Sequence, residues 1–299
     1  MKNILLAGGT GLIGQELIKV LIEKKYSVTI LSRKKILSDT PGVDCEIWDG
    51  RNIPDLKKDF YAIINLSGAP LADHSWNKNF RKIIMRSRID STRAMADFII
   101  HSTTKPSVII NASAVGIYGN RPDETLTESS VAGTGFLSDV VSEWENAARD
   151  ADIRTVLLRT GVVLSRRGGA LPRLVAPLRM GFSVWFGHGR QHLPWIHIDD
   201  EVAAILFCLE NETISGPVNL ASPQGATGRE AARRLRIAKH GCLSLPVPAL
   251  IIKLIMGQRA SLLLDDQSVI PEKLINAGFK FRFEKMEDAL KEIFSDQKK

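Results

Sequence analysis

A chain of 299 residues, 44% hydrophobic and 24% charged, has the composition of a globular protein. Its length allows one α/β domain with an appendage, or two domains that share a cleft. The sequence contains no run of about 18 uncharged apolar residues, so no membrane-spanning helix is expected. The three scattered cysteines indicate neither a disulfide framework nor a metal site.

The first half of the chain alternates short β-rich runs with helical patterns. Helical periodicity covers 11–25 and 76–102, and it recurs in "GFLSDVVSEWENAARD" from Gly135. The predicted strands are 3–7, 27–32, 45–49, 61–67, 107–113 and 154–159. Because these runs are apolar on both faces, they predict a parallel sheet covered by helices on both sides, with right-handed crossovers.

This alternation ends after Gly161. One more strand, 216–222, is expected to return to the sheet, and the last ~80 residues are expected to be mostly helical. We therefore predict an α/β fold with a Rossmann-type doubly wound parallel sheet, formed by 1–165 and 193–222. Residues 166–192 and 223–299 are expected to form a smaller C-terminal substrate lobe over the carboxyl edge of the sheet.

Location and macromolecular partners follow from weaker signals. The N-terminal run "MKNILLAGGTG" is too short for a signal peptide and leads directly into glycines. Cys208 lies in an apolar helical pattern, so we expect a cytoplasmic protein with reduced thiols, without a metal and without a membrane partner. The net charge of +7 includes a basic run at 229–240, interpreted as a solvated helix face rather than a nucleic-acid site.

Three glycines follow the first predicted strand and open the first predicted helix. The spacing of Gly8, Gly11 and Gly14 permits a tight turn, close approach to a pyrophosphate, and close packing of helix on strand. The free N–H groups at the helix start favour phosphate. This strand–turn–helix context predicts a dinucleotide site formed by Gly8, Thr10, Gly11, Leu12, Ile13 and Gly14.

The end of the second strand predicts which dinucleotide binds. It reads Ser32, Arg33, Lys34, without a carboxylate to hold a ribose 2′-hydroxyl. Cationic side chains fit a 2′-phosphate, so NADP(H) is predicted over NAD, with a solvated basic turn as the alternative. Other strand ends supply the remaining predicted contacts, with Asp49 near the adenine and Leu66, Ser67 and Gly68 along the inner ribose and pyrophosphate.

Several motifs carry a resemblance to a known family. With "GGTGLIG", "NLSGAP" and "ASAVGIYG", the chain resembles an extended short-chain dehydrogenase/reductase. The matches "INLSGAPLAD", "RSRIDSTR", "LRTGVVLS", "GHGRQHLPWIHIDD" and "VIPEKLINAGFKFRF" narrow the resemblance to an atypical branch, the NAD-dependent epimerase/dehydratase-like "epimerase family protein" group. That branch has a C-terminal domain of unknown function, and the matches cover nearly the whole chain.

The resemblance implies a sheet of seven strands, a small-molecule substrate and redox or epimerase chemistry on nucleotide sugars and related alcohols. It also implies NADP(H) as the cofactor and allows a homodimer through the helices that flank the sheet. The family's usual active site holds a Ser and a Tyr-x-x-x-Lys pair, in which the tyrosine exchanges a proton and the lysine lowers its pKa and holds the nicotinamide ribose. Ser113 matches the family serine, and it is also expected beside the cofactor.

The tyrosine and the lysine are missing from the helix that should hold them. The resemblance places them at Leu137 and Val141, or one residue earlier at Phe136 and Val140, and all four side chains are apolar. None of the three tyrosines in the chain is followed by a lysine at this spacing. The helix therefore has an apolar stripe for packing but lacks the tyrosine and the lysine that catalyse the usual family reaction.

Other residues could replace the missing pair. Tyr118, interpreted as a pocket-wall residue, and His197, in "WIHI", are the candidate proton carriers, although His197 also fits a core histidine. Arg88 is grouped with the cofactor contacts because it could bind an anionic group; a helix-surface ion pair is the alternative. Asp199 and Asp200 more simply cap the helix that follows them.

Two functions remain open from the sequence. One is an NADP(H)-dependent oxidoreductase or epimerase that acts on a small polar sugar-like or carbonyl substrate with an unusual proton carrier. The other is a non-catalytic NADP(H)-responsive sensor or scaffold. The polar cluster at 187–197 favours the enzyme, and the missing pair favours the sensor.

Overall fold

The computed structural model describes residues 2–35 and 40–295. Its strands are β1 Asn3–Ala7, β2 Ser27–Ser32, β3 Val43–Ile47, β4 Ala62–Asn65, β5 Val108–Ala114, β6 Arg121–Leu126, β7 Thr155–Thr160, β8 Val162–Ser165, β9 Gly168–Gly169, β10 Phe182–Phe186, β11 His192–Leu193, β12 Trp195–His197, β13 Gly216–Leu220, β14 Ala226–Thr227, β15 Leu243–Val247 and β16 Gln267–Val269. Its helices are α1 Leu12–Glu23, α2 Lys78–His101, α3 Phe136–Arg149, α4 Leu171–Val175, α5 Ile198–Glu210, α6 Gly228–Ala238, α7 Ala249–Met256, α8 Ser261–Leu264, α9 Glu272–Asn276 and α10 Met286–Ser295.

The central sheet has seven parallel strands in the order β13-β7-β5-β4-β1-β2-β3. This confirms the predicted doubly wound fold, including the return of 216–222 to the sheet. Predicted and observed strand boundaries differ by at most two residues. The order reverses between β1 and β4, and ligands of such sheets bind beyond the carboxyl ends of the strands at this point.

Helices cover both faces of the sheet because its strands are apolar on both sides. Ile4 and Leu6 of β1 pack on the face that α1 and α5 cover, whereas Leu5 and Ala7 pack on the face covered by α2. All four side chains are fully buried. Cys208 of α5 lies in the first of these cores, as its helical pattern predicts. The structure therefore buries two apolar layers around one sheet.

The C-terminal lobe contains more strands than the sequence predicts. Strands β10 and β15 pair in parallel, and β16 pairs with β6, which connects the lobe to the part of the chain before residue 165. The lobe strands have two to five residues, too few for a clear alternation of apolar and polar side chains. Helices α6 and α10 pack with Trp195 around a separate apolar cluster.

Helix α6 spans most of the basic run, buries Ala231, Ala232 and Leu235, and exposes Arg229 and Arg233 to solvent. This matches the interpretation as a solvated face. Among the described helices, including the 24-residue α2, none has the combination of length and apolarity needed to cross a bilayer.

Candidate cofactor and substrate site

The turn after β1 requires glycine at its first position. Gly8 has a φ of +79°, a conformation that side chains with a Cβ rarely adopt. A Cβ at this position would lie 2.6 Å from the backbone carbonyl carbon and oxygen of Leu66. The turn therefore presses directly against the end of β4, and any larger residue would separate them.

Helix α1 begins immediately after this turn and packs against it. A Cβ on Gly14 would lie 2.4 Å from the carbonyl oxygen of Gly8, so only glycine lets the helix approach this closely. Gly11 is the N-cap and supplies no capping side chain, and the first turn holds no acidic residue. The first N–H groups of α1 are thus uncapped by side chains, and this cradle fits the pyrophosphate of a dinucleotide.

The predicted 2′-phosphate contacts stand at the end of β2. Ser32 is half-buried, and its Oγ accepts a hydrogen bond from the backbone N–H of Lys34 at 3.3 Å. Arg33 and Lys34 are exposed and form no ion pair with any described residue. Two exposed cations at this sheet edge, with no acidic partner in the described part of the chain, suit a phosphate dianion.

Asp49 follows β3, and its carboxylate stabilises its own turn. Oδ1 accepts from the backbone N–H groups of Arg51 at 2.8 Å and Asn52 at 2.9 Å, and Oδ2 accepts from the Asn52 side chain. These hydrogen bonds lower the pKa of Asp49. The carboxylate is exposed and ionised. An adenine amino group could therefore donate a hydrogen bond to Oδ2, which can accept a second one besides that from Asn52.

Arg88 of α2 reaches the backbone beyond β4. It donates to the carbonyl oxygens of Ala69 at 3.1 Å and Ile84 at 3.0 Å, and its guanidinium lies 5.2 Å from the ring centroid of Trp144. A Cβ on Gly68 would lie 3.2 Å from its guanidinium carbon. Burial lowers the pKa of Arg88 to about 10, which leaves the side chain charged at neutral pH. No described carboxylate pairs with Arg88, so the alternative of a helix-surface ion pair is wrong.

A cavity of about 580 Å³ lies beside these strand ends, between α3 and the C-terminal lobe. Its wall is largely apolar and includes three indole rings. The side chains that line it include Trp76, Arg88, Ser113, Leu137, Val140, Val141, Trp144, Thr160, Trp185, Gln191, His192 and Asp265. An apolar cleft with a few polar groups, placed at the switch point of an α/β sheet, is typical of a small-molecule site.

Helix α3 presents only apolar side chains to this wall at the positions where the resemblance places the tyrosine and the lysine. Leu137, Val140 and Val141 all line the cavity. A Cβ on Gly116 would lie 3.3 Å from the Leu137 Cβ, so the helix closes tightly against the 3₁₀ turn Val115–Tyr118 that follows β5. The helix is therefore where the resemblance places it, with apolar side chains facing the cavity.

Ser113 lines the cavity, but its hydroxyl is already engaged. Its Oγ donates to Glu145 Oε1 at 2.7 Å, and Arg159 binds both oxygens of the same carboxylate, at 2.8 and 3.0 Å. All three residues are buried. Burial alone would lower the pKa of Arg159, but the hydrogen bonds and charge of Glu145, with Tyr118, raise it. This ion pair could not be predicted from the sequence, since an arginine within an apolar strand and a glutamate on a helix have no recognisable spacing.

Tyr118 belongs to the same buried network. Its side chain is fully buried, its hydroxyl lies 2.6 Å from Asn219 Oδ1 and 3.0 Å from the carbonyl oxygen of Thr127, and Arg159 donates to it at 3.0 Å. Burial raises its pKa, against the effect of Arg159. The residue does not line the cavity, so the predicted pocket-wall position is wrong because the hydroxyl turns inwards. This geometry gives no support to a role in proton transfer.

His197 also lies away from the cavity. Its Nε2 lies 3.0 Å from Glu292 Oε2, its Nδ1 accepts from the backbone N–H of Asp199 at 3.1 Å, and its ring lies 4.1 Å from the ring of Phe283. The histidine therefore caps α5, and the expectation that Asp199 and Asp200 do so is wrong, because these two residues lie two and three positions further on, inside the first turn. His197, Asp199 and Glu292 come close enough together for a metal, but Glu292 already contacts His197 and Asp199 already pairs with Arg282.

A second histidine lies in the cavity wall, and it was not singled out as a proton carrier. The Nδ1 of His192 lies 2.9 Å from Asp266 Oδ1, which also accepts from the His192 backbone N–H. Asp266 is itself fixed, since its backbone N–H donates to Asn120 at 2.8 Å. The Nε2 of His192 has no partner among the described residues. Aspartate thereby orients a half-exposed imidazole, with one nitrogen left for another group.

Gln191 contributes an unpaired acceptor beside this histidine. Its Nε2 donates to the carbonyl oxygens of Phe186 at 2.9 Å and Leu263 at 3.0 Å, while its buried Oε1 has no partner in the described part of the chain. A buried acceptor left unpaired costs about 1–3 kcal/mol. The cavity therefore offers a position where a ligand hydroxyl or N–H would gain a hydrogen bond.

Burial also affects two carboxyl groups near the cavity. It raises the pKa of Asp265, which lines the wall, and it raises the pKa of the fully buried Glu201 to about 8. Thr160 donates to Glu201 at 2.9 Å and opposes this shift. Glu201 is therefore mostly protonated at neutral pH.

Two family models match the chain. The model described as "NAD dependent epimerase/dehydratase family" matches residues 4–221, and a domain of unknown function, DUF1731, matches 247–293. An epimerase family protein of Staphylococcus saprophyticus is 38% identical over 98% of this chain and 99% of its own. One of Staphylococcus aureus is 34% identical over 99% of this chain and its entire length.

Solved structures give the same result. The chain is similar to a human epimerase family protein crystallised with NADPH, at 32% identity and a TM-score of 0.89 over 98% of this chain and 99% of that one. It is also similar to a nucleoside-diphosphate sugar epimerase of Corynebacterium glutamicum, at 31% identity and a TM-score of 0.80, over 98% of this chain and 58% of that one. A UDP-glucuronic acid 4-epimerase of Bacillus cereus shares the fold at 17% identity.

Proposed function

The chain belongs to the NAD dependent epimerase/dehydratase family, and from this premise we propose that it is an NADP(H)-dependent oxidoreductase or epimerase. Its substrate would be a small polar molecule, sugar-like or with a carbonyl group, and its proton carrier would not be the usual tyrosine. The observation that carries the proposal is the glycine cradle at β1 and α1, where backbone approach leaves no room for a Cβ at Gly8 or Gly14.

The cofactor contacts can be assigned by chemical type. The uncapped N-terminus of α1 would bind the pyrophosphate, and Leu66, Ser67 and Gly68 would lie along the inner ribose. Arg33 and Lys34 would bind the 2′-phosphate. Arg88 would approach from α2 and provide a cation beside the cofactor, in a chain that has no lysine on α3 at the family position. The bound nicotinamide supplies hydride transfer.

Replacing Arg33 with aspartate tests the choice of cofactor. We expect the Kd for NADPH to rise by about 10–100-fold, because a charge-assisted hydrogen bond of roughly 1.5–3 kcal/mol becomes a repulsion. The Kd for NADH should change little, since NADH has no 2′-phosphate. Fluorescence titration measures both constants, and Arg93→Asp on the exposed side of α2 is the matched control. An equal loss for both cofactors, or a wild-type preference for NADH, would overturn the assignment.

We assign the proton-carrying role to His192. It lines the cavity, Asp266 fixes its ring, and its Nε2 is open, whereas Tyr118 and His197 lie outside the cavity. With Nδ1–H directed at Asp266, Nε2 can accept a proton from a substrate hydroxyl, and the protonated ring can return it. Gln191 Oε1 would accept a hydrogen bond from the same substrate and orient it.

Loss of this imidazole should stop turnover and leave cofactor binding intact. We expect His192→Gln to lower kcat by about 100-fold or more, the usual share of general acid–base catalysis, with an unchanged Kd for NADPH. The assay follows NADPH oxidation with a panel of small carbonyl compounds and nucleotide sugars. His188→Gln, at an exposed histidine four residues earlier, is the control. A His192→Gln protein as active as the wild type would exclude this role.

The second candidate function is an NADP(H)-responsive sensor. It is favoured by the apolar wall of α3 and by Ser113, whose hydroxyl is held by Glu145 rather than left for a substrate. If the protein binds NADPH and transfers hydride to no member of the panel, the sensor is preferred.

A further inference from the structure

Helix α7 exposes apolar side chains in place of burying them. Leu250 is 78% exposed and Leu254 is 84% exposed, and Ile251 and Ile255 are also exposed. These four lie at i, i+1, i+4 and i+5, which places them on one side of the helix. Ile252 is the side chain that the helix buries. A surface helix of a globular protein has the opposite arrangement, with its apolar stripe towards the core.

Exposed apolar side chains continue into the segments next to α7. Leu243 and Leu245 of β15 alternate onto one face of that strand, and both are exposed. Met180 is exposed as well, and the carbonyl oxygen of the following residue, Gly181, accepts from the backbone N–H groups of Cys242 and Leu243. We call Met180, Leu243, Leu245, Leu250, Ile251, Leu254 and Ile255 the apolar patch. Single exposed apolar residues are normal, whereas a concentration such as this marks an interaction surface.

The same part of the chain is strongly basic. Residues 166–192 and 223–264 contain twelve lysines and arginines and one acidic residue. Three of these cations pair with acidic residues from other segments: Arg167 with Glu16, Arg173 with Asp73, and Arg234 with Glu287. Others are exposed and form no ion pair with any described residue: Arg179, Arg190, Arg233 and Lys253. Lys253 belongs to α7 itself, and Arg179 precedes Met180.

We propose that the apolar patch docks onto the surface of an anionic lipid bilayer. Such a surface is apolar beneath and negative at its headgroups, which matches leucine and isoleucine side chains with cations beside them. A second copy docked through the same patch would bring two strongly basic surfaces together, which charge repulsion opposes. Helix α7 has eight residues, about 12 Å, so it would lie in the headgroup region and not cross the bilayer.

Docking would place the bilayer near the cavity. The residues directly after α7 include Gln258, Ser261 and Leu262, which line the cavity wall. The surface and the site thus share one continuous segment of the chain. Docking itself requires only the exposed apolar side chains and the nearby cations, and it does not depend on the cofactor or on turnover.

Vesicle co-sedimentation with the full chain tests the proposal. We expect binding to vesicles of mixed phosphatidylcholine and phosphatidylglycerol, weaker binding to phosphatidylcholine alone, and a decrease as salt is added. The double variant Leu250→Glu/Leu254→Glu should weaken binding by at least about tenfold, because it puts charge where docking would bury apolar area. Val131→Glu, at a 70% exposed residue outside the patch, is the control and should bind as the wild type does.

Four outcomes would overturn the proposal. The wild-type protein could fail to bind the mixed vesicles, or the double variant could bind as well as the control. Sedimentation equilibrium could show a dimer that the double variant dissociates, which would assign the patch to a second copy. Finally, a DNA duplex or an acidic amphipathic peptide could bind where vesicles do not. Circular dichroism and NADPH titration of each variant separate these results from a loss of fold or of the proposed cofactor site.

Discussion

Replacing Arg159 with methionine is expected to lower the free energy of unfolding by about 3–5 kcal/mol, because Glu145 would remain buried without its buried partner. Arg159 forms two parallel hydrogen bonds to that carboxylate, and it also donates to the hydroxyl of Tyr118 and the carbonyl oxygen of Glu128. Methionine fills a similar volume but supplies none of these donors. Urea unfolding followed by far-UV circular dichroism measures the loss.

The same carboxylate provides its own control. Arg149 lies 3.2 Å from Glu145 Oε2, one helical turn further along α3, but its side chain is half exposed. Arg149→Met should therefore cost only about 0–1 kcal/mol, as for other exposed pairs. The double variant Arg159→Met/Glu145→Met should recover part of the loss, since no unpaired charge remains. If the two arginine variants lost equal stability, the buried ion pair of Arg159 and Glu145 would not be a main contributor to the free energy of unfolding.

Replacing Gly14 with alanine is expected to abolish useful binding of NADPH. The added methyl would lie 2.4 Å from the carbonyl oxygen of Gly8 and 2.7 Å from the Cα of Gly9, and both are backbone atoms that cannot rotate away. Helix α1 must therefore move off the turn. The loss of two charge-assisted hydrogen bonds to the pyrophosphate corresponds to at least about a 100-fold rise in Kd. Overpacking should also lower stability by about 1–3 kcal/mol.

Gly225→Ala is the matched control for this variant. A Cβ at Gly225 would meet no atom within 4 Å, and the residue lies outside the turn between β1 and α1. Its Kd and its urea midpoint should stay near the wild-type values. A Gly14→Ala protein with wild-type NADPH affinity would show that the turn does not bind the pyrophosphate.

The sheet could be predicted because its signals are local. Each strand is a short apolar run next to a helix with its own periodicity, and the glycines after β1 identify the first unit. The pairing of β16 with β6 could not be predicted. Gln267 pairs with Arg121 far away in the chain, and neither short segment has a pattern that indicates a partner. Short strands whose partners are distant acquire their structure from tertiary packing.

The site divides in the same way. Gly8 and Gly14 could be identified because the constraint on them is steric and lies within a few residues. The choice between His192 and His197 could not be made, because it depends on where each ring points. His192 meets Asp266 across 74 residues of chain, and His197 meets Glu292 across 95. The two histidines of "HLPWIH" thus have different surroundings: His192 lies in the cavity wall, whereas His197 lies against α10.

Trp144 makes the cavity observable by optical spectroscopy. Its Nε1 donates to Thr92 at 2.9 Å, Arg88 lies over its ring, and the ring itself lines the cavity wall. A fixed indole in this position is close to any ligand that enters. Because indole emission overlaps the absorption band of a reduced nicotinamide but not that of an oxidised one, its fluorescence would distinguish the two redox states of a bound cofactor without any added label.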